Sequence, residues 1–479
     1  MAEIILTQHQ QKALRQLLKF VESNDKVFIL KGYAGTGKTT LVRKFIEELS
    51  HQEINYRLLA STGRAAKVLS NIAKNTACTV HSQIYKFKDF NQDLDELAKQ
   101  EAATGMDSTG QLYLTFELNT ISSLMSTGKT IYIIDEASMV ADALELNITQ
   151  AFFGSGRLLT DLLDYDPNGQ YVFVGDHCQL PPVVRTKGQS LSPALSVEYF
   201  KNTFGIKAQE VVLENIMRQK NDNDIIIASK KVRNLYYNVP NEKWGKLPML
   251  GYRNIKVYND SVSMLNNYIK LIKEYGYNHS TLICYYNRRT SELTSLVRPA
   301  LGRNALLESG DLLLVTQNNI PSGLMNGDMV VVTQVSPTVV KRANLTFRNV
   351  EVYELFTRKT YSRLLIEELI YNNEVNLDAE QQKILFKDFY QRMKKKGIAQ
   401  KSMEFNSLMM SDPYLNALRC VYGYAITCHK AQGGEWEHVF LDIPRNLTLN
   451  PTQSTYQWIY TAMTRARVQL HIVNDFYLT

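Results

Sequence analysis

The chain has 479 residues, with 54 Lys and Arg against 47 Asp and Glu, a formal charge of +7, and 44% hydrophobic, 21% charged and 10% aromatic residues. That composition excludes a disordered chain, a collagen-like repeat and a coiled-coil rod, and the length exceeds the roughly 250–300 residues that one core holds, so two to four domains are expected. So small a basic excess suits a nucleic-acid partner and a metabolic enzyme alike, and charge does not choose between them. The five scattered cysteines (Cys78, Cys178, Cys284, Cys420, Cys428) form no C-x-x-C pair, which argues against a disulfide framework or a structural zinc site. The opening MAEIILTQHQQKAL lacks a signal-peptide pattern, and no run approaches about 18 apolar residues, so a soluble cytoplasmic protein is expected.

In chain order, short β-branched runs alternate with helical patterns at 26–31 (KVFILK), 56–60, 130–134 (TIYII), 170–174 (QYVFV) and 210–213. Such runs indicate a parallel sheet covered on both faces. Residues 82–129 break this rhythm with Thr104-Gly105 and Thr109-Gly110 turn signals and an alternating run at 111–118, which predicts a β-hairpin insert. A second set of apolar runs at 281–287, 424–428, 438–441 and 469–473 predicts a second α/β domain. Between its two parts, the strand-like GDLLLVTQ and MNGDMVVVTQV suggest a small barrel, followed by a helix over about 378–397. The basic run 392–396 at its end reads as a solvated helix face. The predicted organisation is a first domain from 1–81 and 130–220, an insert at 82–129, a second domain from 221–309 and 422–479, and a barrel with a helical arm at 310–421.

Gly32-Tyr-Ala-Gly35-Thr36-Gly37-Lys38-Thr39 fits G-x-x-x-x-G-K-[ST] between a strand and the helical TLVRKFIEEL. The glycines let backbone N–H groups wrap phosphate oxygens, Lys38 reaches the β and γ phosphates, and the Thr39 hydroxyl ligates magnesium; Thr40 follows in the same turn. Such a loop needs carboxylates nearby. Ile131-Tyr-Ile-Ile-Asp135-Glu136 supplies Asp135 for Mg2+ and Glu136 as general base, and Val174-Gly-Asp-His-Cys-Gln179-Leu-Pro-Pro182 supplies Gln179, an amide able to sense the γ-phosphate.

This ordered series resembles superfamily 1 helicases, and within them the RecD-like and Dda-like 1B branch. Leu6-Thr-Gln-His-Gln10 resembles the adenine-reading element, with Gln10 as base contact. Thr62-Gly63-Arg64-Ala-Ala-Lys67 resembles motif Ia and Thr79-Val-His81-Ser82 motif Ib, both on the single-strand track in relatives. Ser61 stands where many relatives have Pro. Arg218, in Leu213-Glu-Asn-Ile-Met-Arg218, resembles the motif IV arginine, and Arg465, in Tyr460-Thr461-Ala-Met-Thr464-Arg465-Ala-Arg467, that of motif VI. In Thr427-Cys-His429-Lys430-Ala-Gln-Gly433-Gly434-Glu435, similar to motif V, the resemblance places Thr427, His429 and Lys430 on DNA, and Gly433 and Glu435 at the nucleotide. Asn287, the last residue of the run TLICYYN, and Arg288 after it are further DNA candidates, and Phe116 (with Tyr113 as alternative) a candidate aromatic for splitting the duplex.

The resemblance therefore implies two RecA-like P-loop NTPase domains, a β-hairpin pin and an SH3-like barrel with a helical arm. It also implies ATP and Mg2+ as cofactors, and single-stranded DNA and duplex–single-strand junctions as partners of a monomer that moves 5′ to 3′. A DNA-stimulated ATPase switch that separates no strands is the alternative. A small-molecule kinase is disfavoured because Arg465 and the T-x-H-K-A-Q-G segment would then lack a role.

Overall fold

The computed structural model describes residues 5–104, 109–121, 129–144, 151–181, 192–215 and 223–479. The first domain is a six-stranded parallel sheet in the order Ala77–Thr79, Tyr56–Ala60, Ile131–Asp135, Gln170–Gly175, Val27–Gly32, Ala208–Leu213. Its central strands bury both faces, which is why they read as unbroken apolar runs. Phe28 and Leu30 pack against Leu17 and Phe20 of the helix Gln8–Glu22 and Leu41 and Phe45 of Lys38–His51, while Val27 and Ile29 face Leu159, Leu162 and Phe200 on the other side.

The second domain is a five-stranded sheet in the order Ile255–Tyr258, Ala466–Val473, Trp436–Asp442, Ser280–Cys284, Ile426–Thr427, again parallel. Strands from before residue 285 and after 425 share this one sheet. The first sheet meets the cleft through the loops after its strand C-terminal ends, where open α/β sheets hold their ligands, and the second through segments that lead into Trp436–Asp442 and Ala466–Val473.

Between these segments lies an antiparallel sheet in the order Thr360–Ile366, Leu345–Glu354, Met329–Arg342, Leu312–Val315, Cys420–Tyr422. Leu418 closes it into a barrel, donating from its N–H to Leu364 O and accepting from Ile366 N–H on the opposite edge. The arm helix Ala379–Lys395 starts from a capping box between Asp378 and Gln381 and is followed by Gly397 at φ +74°. In the basic run, Arg392 is paired with Asp388 and Asp412, so it holds the arm together rather than lying on a solvated face.

The insert differs from the expected bare hairpin. Tyr85–Phe90 pairs antiparallel with Leu114–Leu118, but the helix Leu94–Thr104 intervenes, and a third strand, Ala151–Phe153, joins parallel to Leu114–Leu118 from beyond the expected boundary at 129. Three-residue strands carry too little periodicity to be read locally. Phe90, Leu94 and Leu112 of the insert share a core with Phe386, Phe389, Met393, Phe405 and Met409 of the arm. Lys401–Asp93 (2.6 Å) and Tyr390 Oη donating to Asp95 Oδ1 (2.5 Å) rim this contact. Insert and arm thereby arch over the space between the first domain and the barrel. Among the described residues, no helix is long and apolar enough to cross a membrane.

Candidate nucleotide cleft and strand track

The predicted phosphate loop leaves its strand at Gly32 and enters the helix at Lys38, with Gly35 (φ +79°) and Gly37 (φ +78°) in the left-handed region that a side chain would disfavour. A Cβ on Gly32 would lie 2.7 Å from Thr36 Oγ1 and 2.8 Å from Lys38 Cγ, so the turn closes only around glycine. Lys38 Nζ donates to Gly32 O (2.6 Å) and Tyr33 O (3.2 Å), folded over the loop it serves. Thr39 and Thr40 are exposed in the first helical turn.

Gln10 is placed differently from expectation. It is buried, its Nε2 donates to Thr36 O (3.3 Å) and Gly37 O (3.4 Å), and its Oε1 accepts from Thr7 N–H (3.1 Å). Its amide props the loop instead of being presented to a base.

Asp135 and Glu136 end the neighbouring strand, and Glu136 takes a left-handed conformation (φ +50°) that lets its N–H donate to Asp135 Oδ1 (2.9 Å). Burial pushes both carboxyls up, Asp135 adding to the rise at Glu136, while Lys38 and, for Glu136, Arg465 of the second domain draw them back. Two carboxylates so desolvated fit a divalent cation held by Asp135 and Thr39 and a proton acceptor at Glu136. Gln179 is also buried, and its Oε1 has no hydrogen-bond partner among the described residues, which fits an acceptor for a water. Arg465 is held within its own domain by Thr461 O (3.0 Å) and Gly434 O (3.4 Å). Arg218 lies outside the described residues.

The cleft is bridged by side chains that sequence reasoning passed over. Ala34 N–H of the phosphate loop donates to Tyr460 Oη (2.9 Å), and Tyr460 Oη–H donates to Asp176 Oδ2 (2.7 Å). Asp176 Oδ1 in turn accepts from Cys178 N–H (3.0 Å). Leu180 N–H donates to Thr461 Oγ1 (2.8 Å), and Gln432 Nε2 to Leu180 O (2.7 Å). Arg233 lies over the Tyr33 ring at 3.5 Å. The second domain therefore grips the phosphate loop and the 176–180 loop at once. Tyr460 and Thr461 stand inside the motif VI segment, but nothing local says what they bond.

At the C-terminal ends of the strands Tyr56–Ala60 and Ala77–Thr79, Thr62 and Thr79 cap helices, accepting from Ala65 N–H (3.2 Å) and Ser82 N–H (3.2 Å). His81 packs edge-on against Phe153, and burial lowers it to about 4, so it is neutral at physiological pH. His81, Thr79, Phe116, the barrel loop at 316–320 and arm residues Met409 and Met410 line a cavity of 590 Å³ enclosed by the insert–arm arch. Thr427 and His429 sit at the start of the short helix Cys428–Ala431, and burial lowers His429. The register Cys284↔Thr427 brings exposed Asn287 to the same end of the second sheet. Lys430, lowered by burial to about 8, donates to Asn326 Oδ1 (2.6 Å).

Packing places five of the predicted site residues differently from expectation. Gly63 is buried under Met325, and Arg64 lies 4.5 Å over Trp436, so both serve an interdomain contact rather than a strand surface. Gly433 (φ +73°) packs toward Thr62 and Ala65, and Glu435 lines a 340 Å³ cavity with Arg64, Lys67 and Arg467 that contains none of Gly32 to Thr40. Motif V reaches the nucleotide side through Gly434 O on Arg465 instead. Phe116 stacks on Phe153 (4.6 Å) and sits edge-on to Phe87 (5.6 Å) in mid-strand, a wall aromatic rather than a free wedge.

Residues 5–235 match the family model described as AAA domain, and residues 422–473 the UvrD-like helicase C-terminal domain. An uncharacterised protein of Acanthamoeba polyphaga mimivirus is 23% identical over 96% of this chain and 98% of its own length. The RecBCD enzyme subunit RecD of Buchnera aphidicola is 22% identical over 94% of this chain and 70% of its own. Two other relatives, an uncharacterised protein of Methanocaldococcus jannaschii and the RecD2 DNA helicase of Deinococcus radiodurans, are matched over 37% and 18% of their own length. A Pif1 helicase from Bacteroides, solved with ADP-AlF3 and single-stranded DNA, shares the fold at a TM-score of 0.51 and 18% identity, covering 99% of this chain and 93% of that one.

Proposed function

We propose that this chain is a superfamily 1B helicase, an ATP-hydrolysing DNA helicase that moves 5′ to 3′ along single-stranded DNA and separates duplex ahead of it. The observation that carries the reading is the bridged cleft, in which Tyr460, Thr461 and Arg465 of the second domain meet the phosphate loop, the 176–180 loop and Glu136 of the first. An ATPase assembled from two domains turns over only when they close, so its chemistry is tied to domain motion.

ATP would lie on the amides of Gly35 to Thr39, with Lys38 on its outer phosphates. Magnesium, held by Thr39 and Asp135, would neutralise phosphate charge. Glu136 takes a proton from the attacking water, Gln179 orients that water or the γ-phosphate, and Arg465 stabilises charge on the transferring phosphoryl. Loss of the γ-phosphate weakens the grip on the 176–180 loop, and the cleft opens. On the strand side, Thr62, Thr79 and His81 offer one set of contacts and Thr427, His429, Lys430 and Asn287 another. Hydroxyls, neutral imidazoles and few cations hold a backbone without reading bases, and release it each cycle. The 5′-to-3′ direction rests on the 1B resemblance.

ATPase assays with and without oligo-dT test the reading. Stimulation of at least tenfold is expected. Glu136→Gln should bind ATP while turnover falls by about two to four orders of magnitude. Unstimulated turnover, or near-normal turnover in Glu136→Gln, would refute it.

A further inference from the structure

One turn of the barrel, Met325 to Asp328, touches both strand-side segments at once. Met325 fills the space over Gly63, where an added Cβ would lie 2.2 Å from Met325 Cβ. Three residues on, Asp328 Oδ2 pairs with Lys67 Nζ at 2.5 Å, the carboxylate buried and the ammonium partly buried. Between them, Asn326 Oδ1 accepts from Lys430 Nζ at 2.6 Å. Gly63 and Lys67 stand on the helix Gly63–Ala73 of the first domain, and Lys430 on Cys428–Ala431 of the second.

The turn is stiff. Asp328 Oδ2 also accepts from Met325 N–H (2.6 Å), Gly327 sits at φ +97°, and the Gly327 and Asp328 backbones bond both sides of Val315. The barrel is fixed to the second domain through Asp311, which pairs with Arg298 (2.8 Å) and accepts from Tyr424 Oη (2.8 Å). Relative motion of the two domains therefore falls on the Met325–Gly63 and Asp328–Lys67 contacts, beside the direct Arg64–Trp436 and Gly433–Ala65 contacts.

We propose that the turn Met325-Asn326-Gly327-Asp328 is the coupling element that makes strand affinity depend on the nucleotide, by keying the strand-side helix of the first domain to that of the second. When the cleft closes, the turn carries Thr62 with Thr427 and His429. When it opens, the Lys67–Asp328 pair is the joint that slips. Met325, Asp328 and Lys67 are positioning residues that belong to neither the phosphate loop nor the lining of the 590 Å³ cavity, whereas Asn326 lines that cavity. The inference rests on the helicase reading, because it presumes a strand on these helices.

The test is the ratio of oligo-dT dissociation constants measured by fluorescence anisotropy, with the full chain, in the presence and absence of Mg2+ and a non-hydrolysable ATP analogue. Coupling between two sites of this kind is commonly about 5- to 150-fold. Wild type should show at least a fivefold ratio. Asp328→Asn keeps an acceptor for Met325 N–H but loses the charge, and should bring the ratio below twofold while analogue affinity and melting temperature stay near wild type. Lys67→Met reads the same joint from the other domain if Asp328→Asn does not fold. The double variant should lose no more than either single one. A wild-type ratio retained in both single variants overturns the inference, as does loss of the ratio only together with analogue binding. A wild type that binds oligo-dT without nucleotide dependence overturns it while leaving strand displacement to judge the helicase reading. A wild type that binds no oligo-dT refutes that reading itself.

Discussion

Tyr460→Phe removes one oxygen from the middle of the cleft. Tyr460 Oη donates to the Asp176 carboxylate (2.7 Å) and accepts from Ala34 N–H (2.9 Å), and Tyr460 is fully buried. A hydrogen bond to a charged group contributes about 1.5–3 kcal/mol and a neutral one about 0.5–1.5, so the closed cleft loses on the order of 3 kcal/mol. Phenylalanine fills the same volume, so no cavity adds to this. Both partners belong to the first domain and regain water when the cleft opens, so the loss weighs on closure and not on the stability of either domain. At about 1.4 kcal/mol per decade, kcat/KM for ATP with saturating oligo-dT should fall about 100-fold, while the melting temperature changes by a few degrees at most. Steady-state ATPase kinetics beside a thermal melt would show this. A variant within about twofold of wild type, or one whose melting temperature collapses with its activity, would refute the bridging role.

Phe116→Ala should loosen the wall it shares with Phe153 and Phe87, costing about 2–3 kcal/mol because the ring is only part-buried, and should cut strand separation more than oligo-dT-stimulated ATPase; equal loss in both assays would make it purely structural. Phe389→Ala empties the core shared by insert and arm at a cost of about 3–5 kcal/mol, and limited proteolysis should then cut the insert or arm before either sheet domain. Simultaneous cleavage everywhere would mean the arch does not form a separate unit. Lys430 has its proton held less tightly than usual, to about 8, so its positive charge is present below that pH and lost above it. Raising pH from 7 to 9.5 should weaken oligo-dT binding and reduce the salt slope by up to about one, and Lys430→Met should abolish that change; identical pH profiles for both proteins would refute it.

The phosphate loop was legible because its backbone geometry admits few residues: Gly35 and Gly37 sit at positive φ, and Gly32 has no room for a Cβ. The arm helix was legible for a similar reason, Asp378 and Gln381 being a local cap. Alternating sheet and helix were read from apolar runs because both faces of the central strands are covered. What remained hidden depends on distant partners. Gln10 looks the same in sequence whether it reads a base or props Thr36 and Gly37. Gly63 and Arg64 read as strand contacts until Met325 and Trp436, hundreds of residues later, cover them. Tyr460 lies in a recognised segment, yet its bond to Asp176 spans 284 positions. The third strand of the insert, Ala151–Phe153, is too short to show a period and is recruited by Leu114–Leu118.

Strand displacement on two matched duplexes, one with a 5′ and one with a 3′ single-stranded tail, tests the proposed motor most directly. With ATP and Mg2+, the 5′-tailed duplex should be separated and the 3′-tailed one left intact, with Glu136→Gln inactive on both. Separation from the 3′ tail alone would contradict the direction, and oligo-dT-stimulated hydrolysis without separation of either duplex would show a switch in place of a helicase.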